Sequence, residues 1–164
     1  MNDFKHLLIT IDDGKVATVA IDASNRSVNV FDEELLDEMH TVVFQLENRP
    51  DLSLIVFRSG KSSGFLAGAD VGHIQSIKSP EAAETALKKG QDWFEAIGRL
   101  SVPTVAVIHG ACLGGGLEFA MACQFRIALD SGGTKLGLPE TQLGLIPGWG
   151  GKDHTLPHET EAYS

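Results

Sequence analysis

The order of apolar runs in this chain predicts an α/β fold with largely parallel strands, and three observations carry the prediction. Two β-rich runs, residues 5–11 and 16–21, flank Asp13-Gly14, a strong hairpin signal. After that opening, short buried-strand runs alternate with amphipathic helical runs. Glycine-rich segments then follow two of the strand-like runs, as expected where strands of a parallel sheet hand over to helices.

Each element has its own justification. From Phe31 to Arg49, Leu35, Leu36, Met39, Val42, Val43 and Leu46 recur at helical spacing, with Asp32 as N-cap and Pro50 as the stop. Leu54-Ile55-Val56-Phe57 reads as a buried strand, followed by a loop of small residues over 59–72. Ser79-Pro80-Glu81 opens a second helix by cap and proline, running to about Leu100 with Leu87, Trp93, Phe94 and Ile97 as its apolar face. Thr104 to Ile108 is a third buried strand, Gly110 to Gly116 a glycine-rich turn, Leu117 to Cys123 a short apolar helix, and Phe125 to Leu129 another strand. No internal repeat is visible. Residues 1–151 form one core, and Lys152 to Ser164 is a divergent, polar, aperiodic tail that reads as a disordered end or an abrupt truncation.

Composition narrows the function. With 164 residues, 43% hydrophobic and 21% charged, the chain suits one globular domain with a real core. A net charge of −9 argues against gripping nucleic-acid backbones, though not against a small anion held by backbone N–H groups. No apolar run approaches the roughly 20 residues that span a bilayer, and Met1 to Lys5 lacks a signal-peptide build, so a soluble, cytoplasmic protein is expected. The six histidines are scattered without metal-ligand spacing. Cys112 and Cys123, at either end of one predicted helix, read as buried reduced thiols.

Three segments carry chemistry. In His109-Gly-Ala-Cys-Leu-Gly-Gly-Gly-Leu-Glu118, consecutive glycines let the backbone approach a ligand while the following helix offers free N–H groups and its positive end. Glu118 falls in the first helical turn. In Gly64-Phe-Leu-Ala-Gly-Ala-Asp70, Ala69 can donate its N–H and Asp70 can hold the loop by capping the next segment. In Leu138-Pro-Glu140 through Gly148, Glu140 follows a proline and so opens a short helix or turn. Taken singly, each acid reads equally well as a helix-start residue complementing the dipole, and each loop as plain packing. A dinucleotide or phosphate-loop fingerprint fails on spacing. Together, two donor loops and two acids make a site in which a carbonyl oxygen is polarised while the carboxyls share a water.

These motifs resemble the crotonase superfamily, specifically the enoyl-CoA hydratases, and most of all the hydratase part of multifunctional fatty-acid β-oxidation enzymes. The matching residues are Phe65 to Asp70, His109 to Glu118, Leu138 to Glu140 and Gly144 to Gly148, and Ser27-Val28-Asn29-Val30 resembles the segment lying near the CoA moiety. The resemblance implies a spiral of ββα units, incomplete here at its C-terminal end, and a homotrimer. It implies that Glu118 and Glu140 are the catalytic carboxyls, that Ala69 and Gly115 form the oxyanion hole, and that Gly148 helps seat the water. Val28, Ala67, Gly68, Asp70, Leu113, Gly114 and Pro139 would line the acyl-CoA site. The implied reaction is syn addition of water across a trans-2-enoyl-CoA, giving 3-hydroxyacyl-CoA. Coenzyme A comes with the substrate, and no metal or redox cofactor is implied. The continuation after Gly151 departs from the family pattern. A truncated or frame-shifted hydratase lacking part of its pocket wall is therefore expected, with an inactive or partner-dependent acyl-CoA-binding fragment, or an isomerase, as the alternatives.

Overall fold

A β-hairpin opens the chain: β1 (Leu7–Ile11) pairs antiparallel with β2 (Val16–Ile21), and every later strand pairing is parallel. The computed structural model describes residues 4–70, 72 and 77–150. The divergent tail and Gly151 lie outside the described residues.

Helix α1 (Glu33–Glu47) begins as its sequence predicts, with the Asp32 carboxylate accepting from Leu35 N–H, and it buries Leu35, Met39, Val42, Val43 and Leu46. Strand β3 (Leu54–Ser59) follows, then β4 (Gly64–Leu66). Helix α2 (Pro80–Gly98) is capped by Ser79, whose hydroxyl accepts from Ala82 N–H. Strands β5 (Thr104–Ile108) and β6 (Ala111–Leu113) lead to helix α3 (Gly115–Ala122). Strands β7 (Phe125–Ala128) and β8 (Lys135–Gly137) lead to a 3₁₀ turn at Pro139–Leu143.

These elements repeat a strand-strand-helix unit: β3-β4-α2, β5-β6-α3, and β7-β8 with the 3₁₀ turn. The first strand of each unit enters a five-stranded sheet of order β1-β2-β3-β5-β7. The second enters a three-stranded sheet of order β4-β6-β8. Sequence reading finds no repeat because the units share geometry and not residues. It also misses β4 and β6. Each has only three residues inside a glycine-rich stretch, and each is held by its parallel neighbour instead of by propensity. The segment read as a turn over Gly110 to Gly116 is thus a strand followed by the start of α3, two residues earlier than expected. Cys112 accordingly lies on β6 and not on the helix. Both cysteines are free and buried, and desolvation pushes both thiols up to about 12.

The core lies between the larger sheet and the helices. Phe31, Phe57, Phe65 and Phe119 are fully buried there, together with Ile55, Leu35 and Met39. Burying each such side chain contributes about 1.5–3 kcal/mol. Trp93, Phe94 and Ile97 anchor α2 as expected. Leu87 does not: it is exposed on the core side's margin and lies over Gly148. Among the described residues, no helix is long and apolar enough to cross a membrane.

Candidate active site

The loop after β4 is positioned by the segment before α1. Phe31 N–H donates to Gly68 O at 2.7 Å, and Asp70 N–H donates to Phe31 O at 2.9 Å. The Gly68–Ala69 peptide is trans, so its N–H points opposite to its carbonyl. Ala69 N–H is therefore turned away from Phe31. Gly68 reaches this geometry with φ +91°, a region open chiefly to glycine. A Cβ on Gly68 would stand 3.0 Å from Leu113 O and 3.3 Å from Gly115 N, so the two loops touch at this point.

The second loop is built the same way. Gly114, at φ +53°, precedes α3, and its carbonyl accepts from Leu117 N–H at 2.8 Å and Glu118 N–H at 3.0 Å. Its carbonyl thus points along the helix, and Gly115 N–H points out of the N-terminus. Among the described residues, neither Ala69 N–H nor Gly115 N–H donates to a backbone carbonyl. Ala69 N lies 3.8 Å from the point where a Cβ on Gly115 would stand. Ala69 N and the N-terminus of α3 thus lie side by side, an arrangement able to stabilise a developing oxyanion.

The two glutamates flank this pair. Glu118 on α3 is 3% exposed, and its Oε1 accepts Trp149 N–H at 2.9 Å. Glu140 sits in the 3₁₀ turn that Pro139 opens, as expected. Its carbonyl accepts from Leu145 N–H. Its Oε1 lies 2.9 Å from the Cβ position of Gly114, so a side chain there would displace the acid. Its Oε2 is buried with no hydrogen-bond partner among the described residues. Such an atom costs roughly 1–3 kcal/mol unless something binds it, so a polar ligand group or water would be stabilised there.

The remaining sequence-predicted residues divide into groups. Gly68, Leu113 and Gly114 lie at the junction of the loops. Val28 and Ala67 line a shallow crevice with Asn29, Ser63, Gly64, Leu66 and Ala111. Gly148 lies against Leu87, and its carbonyl accepts from Gln91 Nε2 at 2.6 Å. Asp70 holds the loop, as its capping role predicts, by accepting Gly72 N–H at 2.9 Å. It also pairs with Arg26 at 2.8 Å, and Arg26 in turn reaches Asp32 at 3.1 Å. Among the described residues, no group of three or more His, Cys, Asp and Glu is placed to hold a metal ion.

Sequence reasoning missed three contributors. Asn29 is 1% exposed and acts as a hub: its Oδ1 accepts Ala23 N–H, and its Nδ2 donates to Ile21 O, Ser59 Oγ and Phe65 O. Arg26 ties the loop after β4 to the start of α1 but carries no local motif. Trp149 packs its indole on Gly115 and Gly90. An aromatic residue set among glycines was the available signal for it.

The family model described as enoyl-CoA hydratase/isomerase matches residues 13–159. The fatty acid oxidation complex subunit alpha of Vibrio campbellii is 42% identical over 151 residues, which cover 92% of this chain and 21% of that protein. The subunit of the same description from Idiomarina loihiensis is likewise 42% identical over 151 residues. Among solved structures, an enoyl-CoA hydratase from Bacillus anthracis superposes with a TM-score of 0.79 at 28% identity, covering 90% of this chain and 55% of that one. Pseudomonas aeruginosa DspI superposes with a TM-score of 0.81 at 28% identity, covering 93% and 56%. The chain thus spans about a fifth of the curated relatives and just over half of the solved neighbours.

Proposed function

Because the chain belongs to the enoyl-CoA hydratase/isomerase family and has the crotonase-type fold, we propose that it is an enoyl-CoA hydratase (a hydro-lyase) of fatty-acid β-oxidation. It adds water syn across trans-2-enoyl-CoA to give 3-hydroxyacyl-CoA. The thioester oxygen takes the Ala69 and Gly115 N–H groups, which stabilise enolate-like charge as it develops. One carboxyl of the Glu118–Glu140 pair takes a proton from water as the oxygen bonds to C3, and the other delivers a proton to C2. The names of the relatives support the setting in fatty-acid oxidation.

The observation that carries this reading over an isomerase is the second acid. Moving a double bond needs one proton shuttle, whereas adding water needs a group at each end of the double bond. Glu140 supplies the second group, with a buried Oε2 that has no partner among the described residues, beside the donor loops. The test follows loss of crotonyl-CoA in the full chain against Glu118→Gln and Glu140→Gln. Each substitution should cost about 10²–10⁴-fold in rate. Hydration indifferent to both changes would sink the assignment.

A second reading is favoured by the exposed apolar side chains Phe125, Ile127, Leu129 and Leu136, on or beside the edge strands of the two sheets. Here the chain binds acyl-CoA but turns it over only when a partner covers that row, the homotrimer expected of the family being one arrangement. Sedimentation read beside the crotonyl-CoA assay separates the readings, since binding by a monomer without turnover favours the second.

A further inference from the structure

The indole of Trp149 lies beside the two N–H donors, over the same point of Gly115 that Ala69 N approaches. Its Cζ3 and Cε3 stand 2.6 and 2.7 Å from the Cβ position of Gly115. Its Nε1, Cδ1 and Cε2 stand 2.3, 2.5 and 2.6 Å from the Cβ position of Gly90 on α2. The ring therefore rests on two bare glycine Cα atoms and bridges α2 and α3. Phe31 and Phe94 hold it edge-on, with centroids at 5.8 and 5.5 Å. The same residue's N–H reaches Glu118 Oε1, which keeps the ring beside the reacting end of the site.

We propose that Trp149 is the chain-length determinant of this site: its indole plugs the space between α2 and α3 and restricts the acyl group to short chains. A longer chain gains a buried seat only when the ring leaves its place on Gly90 and Gly115. This proposal rests on the acyl-CoA reading given above. It concerns which acyl groups bind, so binding alone can test it, independently of turnover.

The experiment compares the affinities of butyryl-CoA and octanoyl-CoA, by isothermal titration, for the full chain and for Trp149→Ala and Gly90→Ala. In the unchanged chain, the added methylenes should bring no gain. Each methylene newly seated in apolar surroundings is worth about fourfold, so octanoyl-CoA should gain about tenfold or more over butyryl-CoA in Trp149→Ala. Gly90→Ala should shift the ratio the same way, because its Cβ takes the place of Nε1. Alanine also favours the middle of a helix over glycine, which offsets part of the cost of moving the ring, so this variant keeps the test open if removing the indole unfolds the other. Displacement of the ring also appears as a red shift in tryptophan emission. Retained butyryl-CoA binding with an unchanged ratio in the folded variants would overturn the proposal and leave the acyl-CoA reading standing. Failure of the unchanged chain to bind either thioester would overturn both.

Discussion

Replacing Gly68 by alanine is the sharpest probe of the two-loop arrangement, because the perturbation is one methyl group and its target is known. At φ +91° the new side chain stands in a backbone region that costs a non-glycine residue about 1–3 kcal/mol. The methyl would also sit 3.0 Å from Leu113 O and 3.3 Å from Gly115 N, so relief requires the loop after β4 to move away from α3. Loss of glycine's freedom in the unfolded chain returns about 0.4–1 kcal/mol, which leaves a net cost of about 1–2 kcal/mol. For a chain of this length that lowers the melting temperature by about 2–8 °C. The effect on catalysis is larger. Separating two N–H groups that must meet one oxygen is equivalent to losing a donor, about 10²-fold in kcat/KM for crotonyl-CoA. Gly132→Ala is the control, since nothing lies within 4 Å of its Cβ position. If Gly68→Ala melts and turns over like Gly132→Ala, the two loops do not meet as described.

Two further outcomes are expected of groups outside the reacting centre. Asn29→Ala removes the acceptor of Ala23 N–H and the donor to three oxygens, all buried or nearly so, and should destabilise the chain by about 2 kcal/mol or more in urea titration. A change below about 0.5 kcal/mol would show that water substitutes for the side chain. Cys112 and Cys123, with thiols pushed up to about 12, stay protonated through neutral pH, because a raised pKa keeps the thiolate scarce until pH approaches it. Iodoacetamide at pH 8 should leave both unmodified in the folded chain and label both in denaturant, as read by mass spectrometry. Rapid native labelling of either would contradict its burial.

How much was legible in the sequence depended on whether the governing contact is local. The caps at Asp32 and Ser79 and the apolar faces of α1 and α2 are set within a few residues, and the structure agrees with them. Strands β4, β6 and β8 are set by parallel neighbours 20 or more residues away, and the glycine-rich sequence around β4 and β6 reads locally as loop and turn. Leu87 has helical spacing but faces Gly148, a partner that spacing cannot reveal. At the site, the donor loops and acids stood out in the sequence only in combination, because each loop alone reads as packing and each acid alone as a helix start. Asn29 and Arg26 did not stand out, because a buried asparagine hub and a bridging arginine have no periodicity, and their partners are scattered over 40 residues.

The site is made mostly of backbone, and this decides where it is vulnerable. Ala69 and Gly115 contribute N–H groups that no substitution other than proline deletes, so side-chain changes act on them only by moving the chain. The chain is fixed by the set of places where a Cβ is forbidden: Gly68 against Leu113, Gly114 against the Glu140 carboxylate, and Gly116 against Leu66 O at 2.2 Å. The acids depend on the same places, since Glu140 lies where Gly114 has no side chain. Glu118, in turn, is held by the N–H of a tryptophan whose ring rests on Gly115. Donors and acids are therefore one mechanical unit, and a methyl group added at Gly114 should disturb both together, whereas Glu140→Gln alters the acid and leaves the donors in place. Rate losses from the two kinds of substitution should consequently fail to add.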